Sequence, residues 1–223
     1  MSEEIAVVVT AYNEADRLPE TLRALHEAFP GARVVVADDA STDATAQMAR
    51  QGGAEVVTAP HRLGKGGVAT LAAESARGGS APLLVLCDGD LGASAAHLPD
   101  LVRAVEAGEG DLAVAVFAKR VGGGFGFAVG FAHRAIRRLT GLDLQAPISG
   151  QRALAPAVVD AVLPFAPRFG MEIGMTVDAH RAGFRVVEVE LPLEHRATGR
   201  TAAGFAHRAR QLKDFLRVYA ARR

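Results

Sequence analysis

The chain has 223 residues, 49% hydrophobic and 22% charged, which is enough for one sizeable core and long for a minimal domain. Lys plus Arg and Asp plus Glu each total 25, so the overall charge gives no reason to expect nucleic acid or an anionic membrane as partner, and any anion site has to be local. The single cysteine, Cys87, excludes an internal disulfide; MSEEIAVVVT lacks a basic start and a long apolar run, and no stretch approaches the roughly 20 apolar residues of a membrane span, so a cytoplasmic location is expected.

In chain order, strands are expected at Ile5 to Thr10, Arg33 to Asp38, Glu55 to Thr58, Leu83 to Cys87 and Leu112 to Phe117. Helical segments are expected between them near Ala15 to Phe29, Asp43 to Gln51, Gly67 to Ala76 and Ala95 to Ala107. This alternation marks an α/β protein with a mostly parallel central sheet flanked by helices. The first four strands run straight into TAYNE, DDAST, APHRLGKGG and DGDL. Ligands of open α/β sheets bind beyond the carboxyl ends of the strands, so these tips should converge on one site.

The second half has a different texture. KRVGGGFGFAVG, residues 119–130, is too glycine-rich for a helix or strand interior and is expected to be a mobile loop. A basic helical segment, His133 to Thr140, leads to QAPISGQRAL; a helix from Met171 to Ala182 and a strand from Arg185 to Leu191 follow, then EHRATGR. From Ala202 to Arg222, Phe205, Leu212, Phe215, Leu216 and Tyr219 recur at helical spacing among arginines. Such a helix could lie on a membrane surface as a peripheral contact, or pack on its own domain or on a second subunit as a homodimer. One domain is expected over 1–223, with the strand tips in its first half, 1–118, and the glycine-rich and basic segments in its second, 119–223.

Asp88-Gly89-Asp90 puts two carboxylates at a strand tip, with a glycine that lets a ligand approach the backbone. Oxygen ligands suit Mg²⁺ or Mn²⁺, which commonly bridge a carboxylate to substrate phosphates. A cation there would stabilise the charge gained by a leaving nucleoside diphosphate; the alternative is a polar turn that happens to hold two aspartates. Asp38 and Asp39 precede Ser41, Thr42 and Asp43; capping of the next helix accounts for one such residue and leaves a second aspartate to accept from a base N–H. Gly64-Lys65-Gly66-Gly67 before a helix could serve a phosphate with backbone amides and a lysine, or be a surface turn; it is not a complete P-loop.

VVVTAYNE, VVADDASTDAT, RLGKGG and LCDGDL, in this order, resemble the family 2 glycosyltransferases of GT-A fold, over nearly the whole chain. The first half, AKRVGGG and SGQRAL are most similar to dolichyl- and polyprenyl-phosphate sugar synthases. The resemblance implies that Ala11, Tyr12, Glu14 and one of Asp38 or Asp39 hold the base and ribose of a UDP- or GDP-sugar, that Lys65 assists, and that Asp88 and Asp90 serve ribose and metal. FGMEIGMTVDA followed by LEHR is similar to the glucosyl-3-phosphoglycerate synthases, which makes His195 a candidate metal ligand; its neutral imidazole would suit Mn²⁺.

The chain also departs from the lipid-phosphate synthases, with Ala146 where they carry an aspartate and Gly174 where they favour an acid, although Glu172 stands two positions earlier. Glu172 is either a catalytic or acceptor-positioning carboxylate, or a first-turn residue favoured by the helix dipole. The absence of an unambiguous general base favours an acceptor that brings its own phosphate, small or lipid-linked. Candidate phosphate holders are Arg120, Arg152, Arg196 and Arg200 with the amides around Ser149 and Gly150. The function expected is metal-dependent hexosyl transfer from a nucleotide-sugar, with sugar-1-phosphate nucleotidyl transfer or non-catalytic nucleotide-sugar binding as the alternatives.

Overall fold

The computed structural model describes residues 4–77, 82–118, 126–193 and 202–223. Its centre is a seven-stranded sheet in the order β3-β2-β1-β4-β6-β5-β7. The strands are β1 (Ile5–Ala11), β2 (Arg33–Asp38), β3 (Glu55–Thr58), β4 (Leu83–Asp88), β5 (Leu112–Phe117), β6 (Arg152–Leu154) and β7 (Val186–Leu191). Pairings are parallel throughout except for β6, which runs antiparallel to both β4 and β5. The chain builds outward from β1 to β2 and β3, then returns to place β4 on the other side of β1. That reversal opens a crevice between the carboxyl ends of β1 and β4.

Apolar residues alternate across the sheet, because successive strand side chains point to opposite faces. Val7, Val9 and Ala11 of β1 join one core, with Leu18, Leu22 and Leu25 of α1 (Leu18–Ala28) and Leu101 and Val102 of α4 (Pro99–Glu106). Ala6 and Val8 join the opposite core, with Val68, Ala69 and Ala72 of α3 (Lys65–Arg77), Val158 and Val159 of α6 (Pro156–Val162) and Met171 and Met175 of α7 (Met171–Arg181). The remaining helix of the first half is α2 (Thr45–Gln51). A third cluster lies beyond α7, where Ile173 and Val177 meet Ala132 and Ile136 of α5 (Gly126–Thr140) and Phe215 and Val218 of α8 (Ala202–Ala221).

Several expectations need correction. The helix expected over Ala95 to Ala107 is a 3-10 turn, Gly92–His97, followed by α4, because Pro99 fits only the first turn of a new helix. Helix α1 starts at Leu18 rather than Ala15 for the same reason, with Pro19 in its first turn. Part of the expected glycine-rich loop is helical: α5 begins at Gly126 and runs through Gly130, its apolar face buried against α7 and α8. Tertiary packing there outweighs the roughly 1 kcal/mol by which each glycine disfavours helix. Strand β6 and helix α6 were not expected; three residues of β6 are too few to show a period, and their sheet neighbours define them.

Candidate active site

At the crevice, Thr10 lies beside Asp88 in the β1/β4 register and Ala11 beside Asp38 in the β1/β2 register. The tip of β4 therefore sits one strand away from the tip of β2. Thr10 Oγ1 donates to Asp88 Oδ1 at 3.1 Å, and Gln151 Nε2 donates to Asp88 Oδ2 at 2.7 Å. Lys65, the first residue of α3, reaches the same carboxylate, with Nζ 2.6 Å from Asp88 Oδ1 and 3.0 Å from Glu172 Oε1. One ammonium thus joins a residue of β4 to a residue in the first turn of α7.

Burial disfavours the charge on Lys65, but the carboxylates of Asp88 and Glu172, through charge and hydrogen bonds, outweigh it and hold the ammonium above the ordinary lysine range. Burial likewise works against ionised Asp88, yet Lys65, Gln151 and Thr10 together keep it below the ordinary carboxylate range. Both groups are therefore charged at neutral pH. Burial pushes the neighbouring Cys87 thiol up, so it is a neutral packing residue.

Glycines make this contact feasible. A methyl group at Gly150 would lie 2.1 Å from Lys65 Nζ and 3.0 Å from Asp88 Oδ2, so the ammonium occupies the space where a side chain would stand. At Gly66 a methyl would meet the Ala166 carbonyl oxygen at 1.9 Å, so the start of α3 is pressed against the segment leading into α7.

The other tips are tied to one another. Asp38 accepts the Ser41 amide at 3.1 Å, and Asp39 accepts the amides of Leu63 at 2.7 Å and Gly64 at 3.1 Å. Both aspartates are buried, and neither is as spare as the sequence suggested: Asp39 anchors the turn ahead of Lys65. The loop after β1 is stitched to the loop after β2, the Asn13 amide donating to Ser41 Oγ at 3.0 Å, the Thr42 amide to Asn13 Oδ1 at 2.9 Å, and the Glu14 amide to Thr45 Oγ1 at 2.9 Å. Asp43 accepts the Thr45 amide at 3.0 Å and the Ala15 amide at 3.3 Å, so it both satisfies the first amide of α2 and joins the loops. Asn13 and Ala40 hold left-handed backbone at φ 54° and 56°, a strained conformation for non-glycine residues that concentrates at functional sites. The Arg62 guanidinium lies 3.5 Å above the Tyr12 ring, with Nε 3.5 Å from Asp39 Oδ2.

The sequence-predicted residues divide accordingly. Asp88, Lys65, Glu172 and Gly150 are brought together, and Ser149 joins them through its hydroxyl, which donates to Gln151 Oε1 at 3.2 Å. Ala11, Tyr12, Glu14, Asp38 and Asp39 line the adjoining β1 and β2 tips, and Asp90 follows β4 by two residues. Arg152 is placed otherwise than an acceptor-holding residue would be. It is fully buried, and its guanidinium donates to the Ser149 carbonyl at 2.8 Å, to Thr176 Oγ1 at 2.9 Å and to the Pro147 carbonyl at 3.4 Å. Burial lowers its pKa to about 10 against the pull of Glu172 and Glu188, so it braces the wall behind Glu172 instead of facing a ligand. Gly174 has no room for the acid found in the lipid-phosphate synthases, since even a methyl there would sit 2.6 Å from Ala166 Cβ. Arg120, His195, Arg196 and Arg200 lie outside the described residues.

Sequence reasoning missed Gln151. It is 2% exposed and orients Asp88, and its only sequence signal was a polar pair, Gln151-Arg152, just ahead of an apolar run.

A mostly parallel sheet, a switch-point crevice and carboxylates at its strand tips are the architecture of an α/β protein of GT-A fold. The family described as "Glycosyl transferase family 2" matches residues 6–152, and the chain belongs to it. Undecaprenyl-phosphate mannosyltransferase of Micrococcus luteus is 28% identical over 211 residues, covering 87% of this chain and 85% of the relative. Glucosyl-3-phosphoglycerate synthase of Mycolicibacterium paratuberculosis is 31% identical over 220 residues, covering 86% of this chain and 65%, just under two thirds, of the relative. The crystal structure of glucosyl-3-phosphoglycerate synthase from Mycobacterium tuberculosis in complex with Mn²⁺, UDP and glucosyl-3-phosphoglycerate superposes with a TM-score of 0.77 at 28% identity, over 98% of this chain and 81% of that one.

Proposed function

We propose that this glycosyltransferase moves a hexose from a UDP- or GDP-sugar to a phosphate-bearing acceptor, small or polyprenyl-linked, with residues 1–118 holding the donor and 119–223 the acceptor. The observation that carries this reading is the Lys65 ammonium held between Asp88 and Glu172 at the sheet switch point. On this reading that cation meets the donor diphosphate, between a strand assigned to the donor and a helix assigned to the acceptor. The two relatives support both acceptor classes, one named for a polyprenyl phosphate and one for phosphoglycerate.

On this reading Ala11, Tyr12, Glu14 and one of Asp38 or Asp39 hold the base and ribose, Asp88 the ribose, and Lys65 the diphosphate. Mn²⁺ or Mg²⁺ is the cofactor, as in the neighbouring structures. The residues fit it: among the described residues no group of three or more His, Cys, Asp or Glu could hold a metal alone, whereas carboxylates at one strand tip suit an ion completed by substrate phosphates and water. Asp90, two residues beyond the Lys65-paired Asp88, is assigned as the principal ligand. His195 is the further candidate. The bound ion supplies positive charge to the departing diphosphate.

Glu172, held by the Lys65 ammonium, is assigned an orienting role at the acceptor side. That suits an acceptor already anionic through its phosphate. Ser149 and Gly150 amides and Arg196 are assigned to the acceptor phosphate.

Thermal melting against UDP- and GDP-sugars, with and without Mn²⁺ or Mg²⁺, tests the reading. One nucleotide-sugar should raise the melting temperature by roughly 5–10 °C at about a hundredfold excess over its Kd, only with metal. Asp90→Ala should abolish that shift while melting normally alone. If no nucleotide-sugar stabilises the protein at saturation, the proposal fails.

A further inference from the structure

Thr21 interrupts the apolar face of α1. Leu18, Leu22 and Leu25 turn that face into the core, and Thr21 shares it at helical spacing, with none of its surface exposed. A buried hydroxyl without partners is destabilising, so one placed among leucines has to be satisfied by hydrogen bonds. Both of its short bonds go to the turn after β4. Thr21 Oγ1 donates to the Gly89 carbonyl at 2.9 Å and accepts the Gly92 amide at 2.8 Å. The Arg17 carbonyl, four residues back on the same helix, is the more distant acceptor for the single hydroxyl proton, at 3.4 Å.

Gly89 and Gly92 stand on either side of Asp90, and both are buried. The Gly89 amide donates to the Thr10 carbonyl at 2.9 Å, and Ser94 Oγ donates to the Leu91 carbonyl at 2.7 Å, while the Leu91 side chain is buried in the core. Gly92 holds left-handed backbone at φ 57°, which closes the turn sharply and favours glycine. Residues 89–92 are thus tied to β1 through Thr10 and to α1 through one oxygen that takes both ends of the turn.

We propose, resting on the assignment of Asp90 to the metal, that Thr21 is the positioning residue of that site: its hydroxyl fixes residues 89–92 so that the Asp90 carboxylate meets the cation in one geometry. A ligand on an untied turn has to be ordered at each binding event, and that ordering appears as lost affinity. Packing alone does not account for a threonine here. Valine would fill the same space, but it would leave the Gly89 carbonyl and the Gly92 amide without this partner.

Mn²⁺ titration followed by electron paramagnetic resonance, with UDP or GDP present and well below the melting temperature, tests the role. Thr21→Val keeps the shape and removes the oxygen; it should bind Mn²⁺ about ten-fold more weakly than wild type. Thr21→Ser keeps the oxygen and should stay within about two-fold of wild type. Val158→Ala, which opens a cavity in the opposite core, should lower the melting temperature without moving Mn²⁺ affinity. If valine prevents folding, Thr21→Ala against Thr21→Ser isolates the same oxygen. Equal Mn²⁺ affinity in wild type and Thr21→Val, or an equal loss in Thr21→Ser, would make Thr21 a packing residue and overturn the proposal while the transfer reading stands. A wild type that binds no Mn²⁺ with either nucleotide would overturn the metal assignment and the role of Thr21 together.

Discussion

Two ion pairs in this molecule use the same chemistry in opposite settings. Arg33, at the start of β2, forks onto Glu55 of β3 with two contacts of 2.7 Å, in the open. Lys65 joins Asp88 and Glu172 at 2.6 and 3.0 Å, but its side chain is only 17% exposed and that of Glu172 6%. Water can replace either partner of the outer pair and screens it, whereas in the inner cluster only Asp88, 32% exposed, keeps a comparable share of water. The outer pair trims two neighbouring strands. The inner one fixes the relation of three elements, β4, α3 and α7, and is the part of the molecule most sensitive to a missing charge.

Removing the inner cation should break the comparison most strongly. Lys65→Met should destabilise the fold by about 3 kcal/mol in chemical denaturation, since it leaves two neighbouring carboxylates without their counter-charge. Its pH dependence should also reverse. In the wild type Asp88 has a folded pKa below its unfolded value of about 3.9, so its stabilisation is present above that value and lost as pH falls through the folded pKa. In Lys65→Met the unpaired, partly buried carboxylates favour the protonated form, and stability should rise as pH falls from 7 towards 4. A parallel fall in both proteins would refute the pairing.

Gly150→Ala should come next, at about 1–2 kcal/mol, because its methyl displaces Lys65 Nζ while leaving every charge in place. The metal-dependent donor shift should suffer more than the melting temperature of the free protein. Equal loss of both would make Gly150 a packing glycine only. The smallest effect belongs to the outer pair: a double-mutant cycle of Arg33→Ala and Glu55→Ala should give a coupling of at most about 1 kcal/mol, which falls as salt rises. A larger, salt-independent coupling would erase the contrast.

How much of this was legible depended on the distance over which each feature is encoded. Strands β2, β3 and β5 are bounded where β-branched runs meet polar residues, and the tips TAYNE, DDAST, GKGG and DGDL are each contiguous, so their residue types already pointed to a strand-tip site. The alternation that feeds a parallel sheet is likewise local, and it determined the fold class. Family 2 motifs in order along one chain determined the kind of transferase.

Only the tertiary structure decided who partners whom. Lys65 was expected near a phosphate, but nothing in its neighbourhood names Glu172, which arrives in the first turn of α7, more than a hundred residues later. Gln151 and Arg152 are adjacent in sequence yet take opposite roles: Gln151, just ahead of β6, donates to Asp88 at the crevice, while Arg152, the first residue of β6, is locked behind it. Helix α5 begins inside a glycine-rich run because packing against α7 and α8 supplies what propensity withholds. Local sequence specified the carboxylates and the strands that carry them; long-range packing set their charge partners and hence what they can hold.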